Sequence, residues 1–201
     1  LGLLAMLGAA EVPVYEIPRV ALLSSGDELL PVEVPLTEGR IHDSNTYTLA
    51  AQIEGADAQV LRLGIAADER TAVEHLLDEA ANSCSLTNLI VSSAGVSVGA
   101  FDFVKEVVET RGRLDFWRVN MRPGKPLAFG EYRGVPFIGL PGNPVSAFVT
   151  FEVFARPAID NYPGWRHAHA RGPRSAWPRR LSRMGAKVTC ARSWMKTAWR
   201  A

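Results

Sequence analysis

Residues 135–159 read VPFIGLPGNPVSAFVTFEVFARPAI: a short apolar run, a turn rich in Pro and Gly, and a long apolar segment. The first six residues have the length and character of a buried strand. In the turn, Asn143 can cap a helix and Pro144 can take its first position. The segment therefore predicts a buried strand that leads directly into a helix over Val145–Ile159, which is a building unit of α/β layered folds.

The rest of the chain to residue 160 repeats this alternation. Further strands are expected at Arg19–Ser25, Gln59–Ile65, Thr87–Ser93, Asp115–Met121 and Leu127–Tyr132. Helices are expected over about residues 46–55 after the capping cluster Asp43-Ser44-Asn45, after a cap at Asp68, and around an inward stripe of Val104, Val107 and Val108. Strands that alternate with helices predict a three-layer α/β domain with a mostly parallel sheet.

Charge divides the 201 residues into two parts. Residues 1–160 contain 12 Lys and Arg against 21 Asp and Glu, whereas residues 161–201 contain 10 Lys and Arg and no acid. Four of the five tryptophans also lie in this basic tail. We expect a remnant of a preceding domain or linker over 1–18, the α/β domain over 19–160, and an irregular tail over 161–201.

Composition also excludes several classes of protein. No apolar run reaches the roughly 18–20 residues needed to span a bilayer, so no membrane association is expected. Two cysteines, Cys84 and Cys190, cannot build a disulfide framework or a zinc ribbon, which favours a cytoplasmic location.

Candidate functional residues lie in the loops at the carboxyl ends of the predicted strands, where ligands bind in open α/β sheets. The first loop contains Ser25, Gly26, Asp27 and Glu28, whose backbone N–H groups could cradle an anion. A second loop, with Ser93, Gly95, Ser97 and Gly99, consists of small residues that let a ligand approach the backbone. A plain turn and a plain helix start are the alternative interpretations.

Two further loops contain candidate ligand-binding residues, one with basic side chains and one rich in Pro and Gly. The basic residues are Arg118, Arg122 and Lys125, and on a strand positions 118 and 122 would share one face. The other loop comprises Pro141, Gly142, Asn143 and Pro144, which also suits a helix start without a ligand.

Two carboxylates complete the set of candidates. Asp43 can be a helix cap and Asp102 a first-turn acid. If the two lie close together, opposite the basic groups, they suit a divalent metal and a phosphorylated ligand.

Five segments, in this order, resemble the molybdopterin molybdenumtransferase family, which comprises MoeA of bacteria and the E domain of gephyrin. They are SSGDEL at 24–29, DSN at 43–45, AGVSVGAFDF at 94–103, MRPGKPLAFG at 121–130 and GLPGNPVSAF at 139–148. The resemblance covers about residues 1–160 and implies a MogA/MoaB-like, molybdopterin-binding domain. It also implies that the family's other domains are missing and that Leu1–Tyr15 is the end of a preceding one.

The resemblance implies an enzyme of molybdenum cofactor biosynthesis, a transferase that inserts molybdate into adenylylated molybdopterin and releases AMP with the help of Mg²⁺. It assigns the catalytic and metal-binding positions to Asp43 and Asp102, and the substrate-binding positions to the four loops. It further implies a homodimer and contacts with other cofactor assembly proteins. A binding or scaffold module of the same fold, without catalysis, is the alternative for this shortened chain.

The sequence departs from the family pattern at Ala94, where Gly is usual, and in the tail. Ala costs roughly 1 kcal/mol if the backbone there has a positive φ. The tail allows three interpretations: a nucleic-acid-binding arm, a disordered end, or translation in a shifted reading frame. The last two are favoured, so nucleic acid is not the expected partner.

Overall fold

Strands and helices alternate through residues 2–11, 16–82, 87–95 and 103–162, which are the residues that this computed structural model describes. The strands are β1 (Arg19–Ser25), β2 (Leu29–Leu30), β3 (Ile41–His42), β4 (Gln59–Ala66), β5 (Leu89–Ser93), β6 (Gly112–Arg118), β7 (Pro126–Tyr132) and β8 (Val135–Leu140). The α-helices are α1 (Gly2–Met6), α2 (Ser44–Gly55), α3 (Arg70–Asn82), α4 (Phe103–Arg111), α5 (Pro144–Thr150) and α6 (Arg156–Asp160). A π-helical turn, Phe151–Ala155, joins α5 to α6.

Six strands form the main sheet in the order β4-β1-β5-β8-β7-β6. Strands β4, β1, β5 and β8 are mutually parallel, whereas β7 is antiparallel to both of its neighbours. The strands β2 and β3 form a separate parallel pair. The prediction of a mostly parallel sheet is confirmed.

Helices cover both faces of the sheet. On one face, α2 and the helix that starts with α5 contribute Leu49, Ile53 and Phe151 to an apolar cluster with alternate residues of β1, β5 and β8. On the other face, α3 and α4 pack Leu77 and Val107 against the intervening residues of the same strands. The alternation follows from the period of two along a strand, and it confirms the predicted three-layer α/β fold.

The strand order places a crevice between β1 and β5. The chain leaves β1, passes through α2 to β4 on one side, and then returns through α3 to β5 on the other side. The helices that follow β1 and β5 therefore lie on opposite faces of the sheet, which leaves a crevice where these two strands end. Open α/β sheets bind ligands at such a point, where the strand order reverses. The register places Ser24 beside Ser93 at that point.

Most predicted elements are confirmed, and two details are wrong. The strand predicted over Asp115–Met121 spans Gly112–Arg118, because pairing with β7 begins as soon as α4 ends, with Gly112 opposite Tyr132. Asp68 does not occupy the cap position of α3, because α3 begins at Arg70 and the Glu69 carbonyl accepts the first helical hydrogen bond, from the Val73 N–H.

A search of the described residues for membrane-spanning helices found none of sufficient length and apolar character.

Candidate functional site

The carboxyl edge of the sheet, where β1, β5 and β8 end, is lined with small polar residues. Ser24 and Ser25 end β1, and Ser92 and Ser93 end β5. All four side chains are buried. Burial of hydroxyl groups is unfavourable unless they are hydrogen-bonded, so their hydrogen-bond partners show how this edge is organised.

Asp43 caps α2 and starts a chain of hydroxyl groups. Its Oδ1 accepts a hydrogen bond from the backbone N–H of Thr46 at 3.0 Å, and its Oδ2 accepts one from the Thr46 hydroxyl at 2.6 Å. Because that hydroxyl donates its proton to Asp43, the Ser24 hydroxyl, 3.0 Å away, must donate to Thr46. The capping interpretation of Asp43 is therefore correct, and the cap is also linked to the end of β1.

Asn45 connects α2 to the ends of two other strands. Its Nδ2 donates hydrogen bonds to the Ser93 hydroxyl at 2.8 Å and to the carbonyl oxygen of Gly142 at 2.7 Å. A carbonyl can only accept, which fixes the orientation of the Asn45 amide. We call Asp43, Asn45, Thr46, Ser24, Ser93 and the Gly142 carbonyl the Asn45 network.

This edge contains two of the buried polar atoms that lack a partner among the described residues. They are the Oδ1 of Asn45 and the hydroxyl oxygen of Ser92. An unpaired buried polar atom is unfavourable by about 1–3 kcal/mol, so native proteins retain few of them. Their presence at the crevice is consistent with a ligand that supplies hydrogen-bond donors.

The backbone between β5 and α4 approaches its neighbours closely. Ala94 and Gly95 both have φ of +69°. A Cβ on Gly95 would lie 2.7 Å from the Ser25 hydroxyl oxygen, and one on Gly142 would lie 3.2 Å from the Cβ of Ala94. The predicted loops of Ser25, Gly95 and Gly142 therefore come together, and Ala94 occupies a left-handed conformation that suits Gly.

The turn after β8 is an efficient helix start. The Asn143 side chain accepts from the backbone N–H of Ser146 at 3.1 Å, and Pro144 occupies the first turn of α5. Pro141 is buried, whereas Gly142 and Asn143 are exposed. The turn thus serves as a cap, and it also presents the Gly142 carbonyl to Asn45.

Asp27 and Glu28 lie on the other side of the crevice, beside the end of β4. Asp27 and Asp68 exchange hydrogen bonds, since each backbone N–H donates to the other's carboxylate. Burial raises the pKa of Asp68, and the charges of Asp27 and Glu28 add to that rise, although the hydrogen bond from Asp27 opposes it. Gly26, with φ of +149°, leaves space that the Glu28 carboxylate fills.

The three predicted basic residues lie at the same edge but farther along the sheet. Arg118 ends β6, whereas Arg122 and Lys125 lie in the loop that leads to β7. The expectation that 118 and 122 share a strand face is therefore wrong, because β6 ends before Arg122. Within the described part of the chain, none of the three makes an ion pair with an acidic side chain.

Ser97, Gly99 and Asp102 lie outside the described residues, so the predicted pair of Asp43 and Asp102 stays a prediction. Among the residues that are described, no three His, Cys, Asp or Glu side chains are close enough together to hold a metal ion. Mg²⁺ usually takes one or two carboxylates, with waters and substrate phosphates as its other ligands. Among the described residues each oxygen of Asp43 accepts one hydrogen bond, and a carboxylate oxygen has two lone pairs, which fits the role of a single carboxylate ligand.

Sequence reasoning missed Asn45 and Thr46 as members of the site. Asn45 was grouped with Asp43 as part of a capping cluster, yet it is buried and faces two other strands. The signal was present in the sequence, because Asn and Thr at the first turn of α2 lie on the same helix face as the buried Leu49.

Comparison with known proteins gives a family match over most of the chain. The family model described as "Probable molybdopterin binding domain" matches residues 21–161. A molybdopterin molybdenumtransferase of Haemophilus influenzae is 43% identical over 164 residues, which are 82% of this chain and 40% of that protein. Molybdopterin molybdenumtransferase 2 of Mycobacterium tuberculosis is 42% identical over 165 residues, 79% of this chain and 40% of that protein.

Solved structures agree with the fold. A molybdopterin biosynthesis MoeA protein of Pyrococcus horikoshii superposes with a TM-score of 0.64 and 29% identity, over 71% of this chain and 34% of that one. A MoaB protein of a Thermus species covers 74% of this chain and 99% of its own, with a TM-score of 0.54 and 19% identity, which supports the fold alone. The chain spans about 40% of the length of the curated relatives that it matches.

Proposed function

The chain belongs to the family of molybdopterin-binding domains, and from this premise we propose that the carboxyl edge of its sheet binds molybdopterin. We further propose that this domain takes part in the insertion of molybdate into adenylylated molybdopterin, with release of AMP. The relatives named molybdopterin molybdenumtransferase support the reaction, although the chain covers only about 40% of their length.

The Asn45 network is the observation that carries the proposal. It joins the ends of β1, β5 and β8 at the crevice where the topology favours ligand binding. Two buried acceptors, the Oδ1 of Asn45 and the hydroxyl oxygen of Ser92, lack partners among the described residues. A pterin ring carries N–H donors, so such a ligand could satisfy acceptors at this edge.

The polar residues then have distinct parts in the proposal. Ser25, Ser93, Gly95 and the Gly142 loop bind and orient the ligand. Asp43 and Asp102 hold Mg²⁺, an ion that would neutralise phosphate charge and polarise the phosphoanhydride when bound. The remaining predicted residues contact the ligand or molybdate from the flanking loops; they are Gly26, Asp27, Glu28, Ser97, Gly99, Arg118, Arg122 and Lys125.

Asp43→Asn tests this assignment with little change of structure. Asn is as good a helix cap as Asp, so the bond from the Thr46 N–H should persist. The amide Nδ2 cannot accept from the Thr46 hydroxyl as the Oδ2 of Asp43 does, so the free energy of unfolding should fall by about 1–2 kcal/mol. The variant removes the negative charge that a cation needs. We expect molybdopterin binding to be retained and Mg²⁺-dependent AMP release from adenylylated molybdopterin to fall by at least 100-fold.

The outcomes separate the parts of the proposal. Equal rates of AMP release in the variant and the wild type would show that Asp43 is a cap without a catalytic part. Wild-type chain that binds molybdopterin but never releases AMP would reduce the function to ligand binding. Failure of the wild type to bind molybdopterin at micromolar concentration would refute the proposal as a whole.

We also propose that the protein is a cytoplasmic homodimer that binds other molybdenum cofactor assembly proteins. The side chains of Val145 and Phe148, which are 65% and 47% exposed on α5, support self-association. Phe148→Asp should then convert a dimer to a monomer in sedimentation velocity experiments. A wild-type chain that sediments as a monomer at 100 μM, on the order of a weak-dimer concentration, would contradict the dimer.

A further inference from the structure

Residues 119–125, which we call the basic loop, form a closed turn between β6 and β7. The backbone N–H of Val119 donates to the carbonyl oxygen of Lys125 at 3.1 Å, and this hydrogen bond closes the loop. Arg122 and Lys125 are exposed, whereas Gly124 between them is buried. The contacts of Gly124 therefore bear directly on where these two charges lie.

Gly124 packs against Thr150, the last residue of α5. A Cβ on Gly124 would overlap the Cγ2 methyl group of Thr150 and would lie 2.7 Å from the Cε of Met121. The backbone of Gly124 is therefore in direct contact with that methyl group, and a larger residue would not fit in the close-packed space. A φ of +109° is a second reason for glycine at this position.

The Thr150 side chain is held in one orientation. It is fully buried, and its hydroxyl donates to the carbonyl oxygens of Ser146 at 2.7 Å and Ala147 at 3.2 Å. Hydrogen bonds to the preceding turn select one of the two rotamers that Thr adopts in a helix. Because the hydroxyl is turned towards the helix, the methyl group has a fixed direction and contacts Gly124.

Helix α5 is tied to α2 at both of its ends. Near its start, the Asn45 side chain donates to the carbonyl oxygen of Gly142 at 2.7 Å. Near its end, the Nε2 of Gln52 donates to the carboxylate of Glu152, two residues after Thr150, at 2.8 Å. The seven residues of α5 span about 10 Å at a rise of 1.5 Å per residue. The Asn45 network and Thr150 are therefore held at a set separation.

We propose that Thr150 is a positioning residue, whose methyl group contacts Gly124 and thereby holds the basic loop in place relative to the Asn45 network. The contact itself does not depend on a ligand. Its consequence for binding rests on the proposed function, in which Arg122 and Lys125 contact the ligand from this loop. A loop without this contact would have to be ordered when the ligand binds, which lowers the affinity.

Two substitutions of Thr150 separate the methyl group from the hydroxyl. Thr150→Ser removes the methyl group and keeps the hydroxyl, whereas Thr150→Val keeps the methyl group and removes the hydroxyl. Hydrogen exchange of the Val119 amide, measured by NMR on the full chain, reports closure of the basic loop. We expect this exchange to be about tenfold faster in Thr150→Ser and within about twofold of the wild type in Thr150→Val.

Amides of the central strand β5 provide the reference for global unfolding. Exchange that accelerates by the same factor at β5 and at Val119 in Thr150→Ser would mean that the variant only lowers stability, and it would overturn the proposal. Unchanged exchange at Val119 in Thr150→Ser would also overturn it. Equal acceleration in the Ser and Val variants would do so too, because the methyl group would then not be the group that holds the loop.

A double-mutant cycle with Gly124→Ala tests the contact directly. The new Cβ meets the Thr150 methyl group in the wild-type background alone, whereas the strain of a positive φ is the same in both backgrounds and cancels. Gly124→Ala should therefore lower the midpoint of urea denaturation less in Thr150→Ser than in the wild type. Equal shifts would show that the two residues do not interact and would refute the proposal.

Titration with molybdopterin tests the consequence for binding. We expect about fivefold weaker binding in Thr150→Ser and unchanged binding in Thr150→Val. Unchanged affinity in a Thr150→Ser variant whose loop opens would overturn the positioning role, since the contact would then serve structure alone. A wild-type chain that does not bind molybdopterin would instead refute the proposed function, and exchange at Val119 would still decide whether Thr150 holds the basic loop.

Discussion

The amino and carboxyl edges of the sheet differ in how their polar side chains are paired. At the amino edge, where β8 begins and β7 ends, the Tyr132 hydroxyl donates to Asp78 at 2.5 Å, and Arg133 and Arg111 contact the same carboxylate at 3.0 and 3.5 Å. Arg111 also pairs with Glu74. These residues, the Asp78 cluster, are ionic and satisfied by one another. At the carboxyl edge, the Asn45 network contains one acidic side chain, Asp43, among small neutral groups, and the Oδ1 of Asn45 has no partner among the described residues.

Under the proposed function, the amino edge serves stability and the carboxyl edge serves binding. A satisfied ionic cluster holds α3, α4 and β7 together and offers nothing to a ligand. An unpaired buried acceptor is unfavourable, and under the proposed function a ligand that supplies the missing donor would offset that cost. Changes at the two edges should therefore separate loss of stability from loss of affinity.

The largest effect is expected for Asp78→Ala. Removal of the carboxylate leaves the Tyr132 hydroxyl and the Arg133 guanidinium without this acceptor, whereas Arg111 keeps its pair with Glu74. We expect the free energy of unfolding to fall by about 3 kcal/mol, measured by urea denaturation. The affinity for molybdopterin should stay unchanged at a temperature where the variant is folded. Asp115→Ala, which breaks only the exposed pair with Arg113, serves as control and should change stability by less than about 0.5 kcal/mol.

Asn45→Ala should show the opposite combination. The loss of two hydrogen bonds and the relief of one unpaired acceptor lower stability by only about 1–2 kcal/mol. Because the Gly142 carbonyl and Ser93 are no longer held together, the affinity for molybdopterin should fall at least tenfold in a fluorescence titration. Thr48→Ala, on the exposed face of the same helix, should leave the affinity unaltered. Equal affinities for the Asn45 and Thr48 variants would remove the distinction between the edges.

A smaller change of opposite sign is expected for Ala94→Gly. Ala94 has φ of +69°, a conformation that Gly adopts without strain, so the free energy of unfolding should rise by about 1 kcal/mol. The same substitution at Ala51, an exposed position inside α2, should lower it by about 1 kcal/mol. Thermal denaturation of both variants measures the contrast. Destabilisation by Ala94→Gly would show that this loop is not strained.

The smallest effect near neutral pH is expected for Tyr132, at the amino edge of the sheet, whose contribution to stability depends on pH. Burial raises the pKa of Tyr132 to about 12, and the hydrogen bond and charge of Asp78 add to the rise. The folded protein therefore favours the neutral phenol of Tyr132. The contribution of Tyr132 to the free energy of unfolding is constant below pH 10 and declines as the pH rises towards 12. Tyr132→Phe should lack this part of the decline in unfolding experiments between pH 8 and about 11.5. Parallel curves for wild type and variant would contradict the assignment.

Much of the fold could be predicted because local patterns and burial agree. Arg19–Ser25 and Val135–Leu140 are strands with the predicted bounds, and Val104, Val107 and Val108 face inward as their spacing indicated. Apolar periodicity reports burial directly, so it succeeds wherever an element packs on one face. It failed at Asp115–Met121, because the position of the neighbouring strand β7 decided where pairing begins. That strand lies close to α4 both in space and in sequence.

The candidate site was predictable as a set of loops but not as a set of contacts. Asn143 and Asp43 were identified as helix caps from residue type alone, and both act as caps. Asn45 was not identified, because its role depends on Ser93 and Gly142, which lie 48 and 97 residues farther along the chain. Lys125 was identified by its charge, whereas Thr150 beside Gly124 was not, since only the packing of α5 against the basic loop brings the two together.

The amino-acid sequence by itself determined the alternation of strands and helices, the caps of α2 and α5 and the family, because each of these depends on neighbouring residues or on short motifs. Tertiary structure alone decided which polar groups are paired, which acceptors remain free and which side chain Gly124 packs against. Those properties depend on the strand order β4-β1-β5-β8-β7-β6, which brings residues far apart in the chain to one edge of the sheet. Hydrogen bonds act over about 3 Å, a distance that spacing along a chain cannot report.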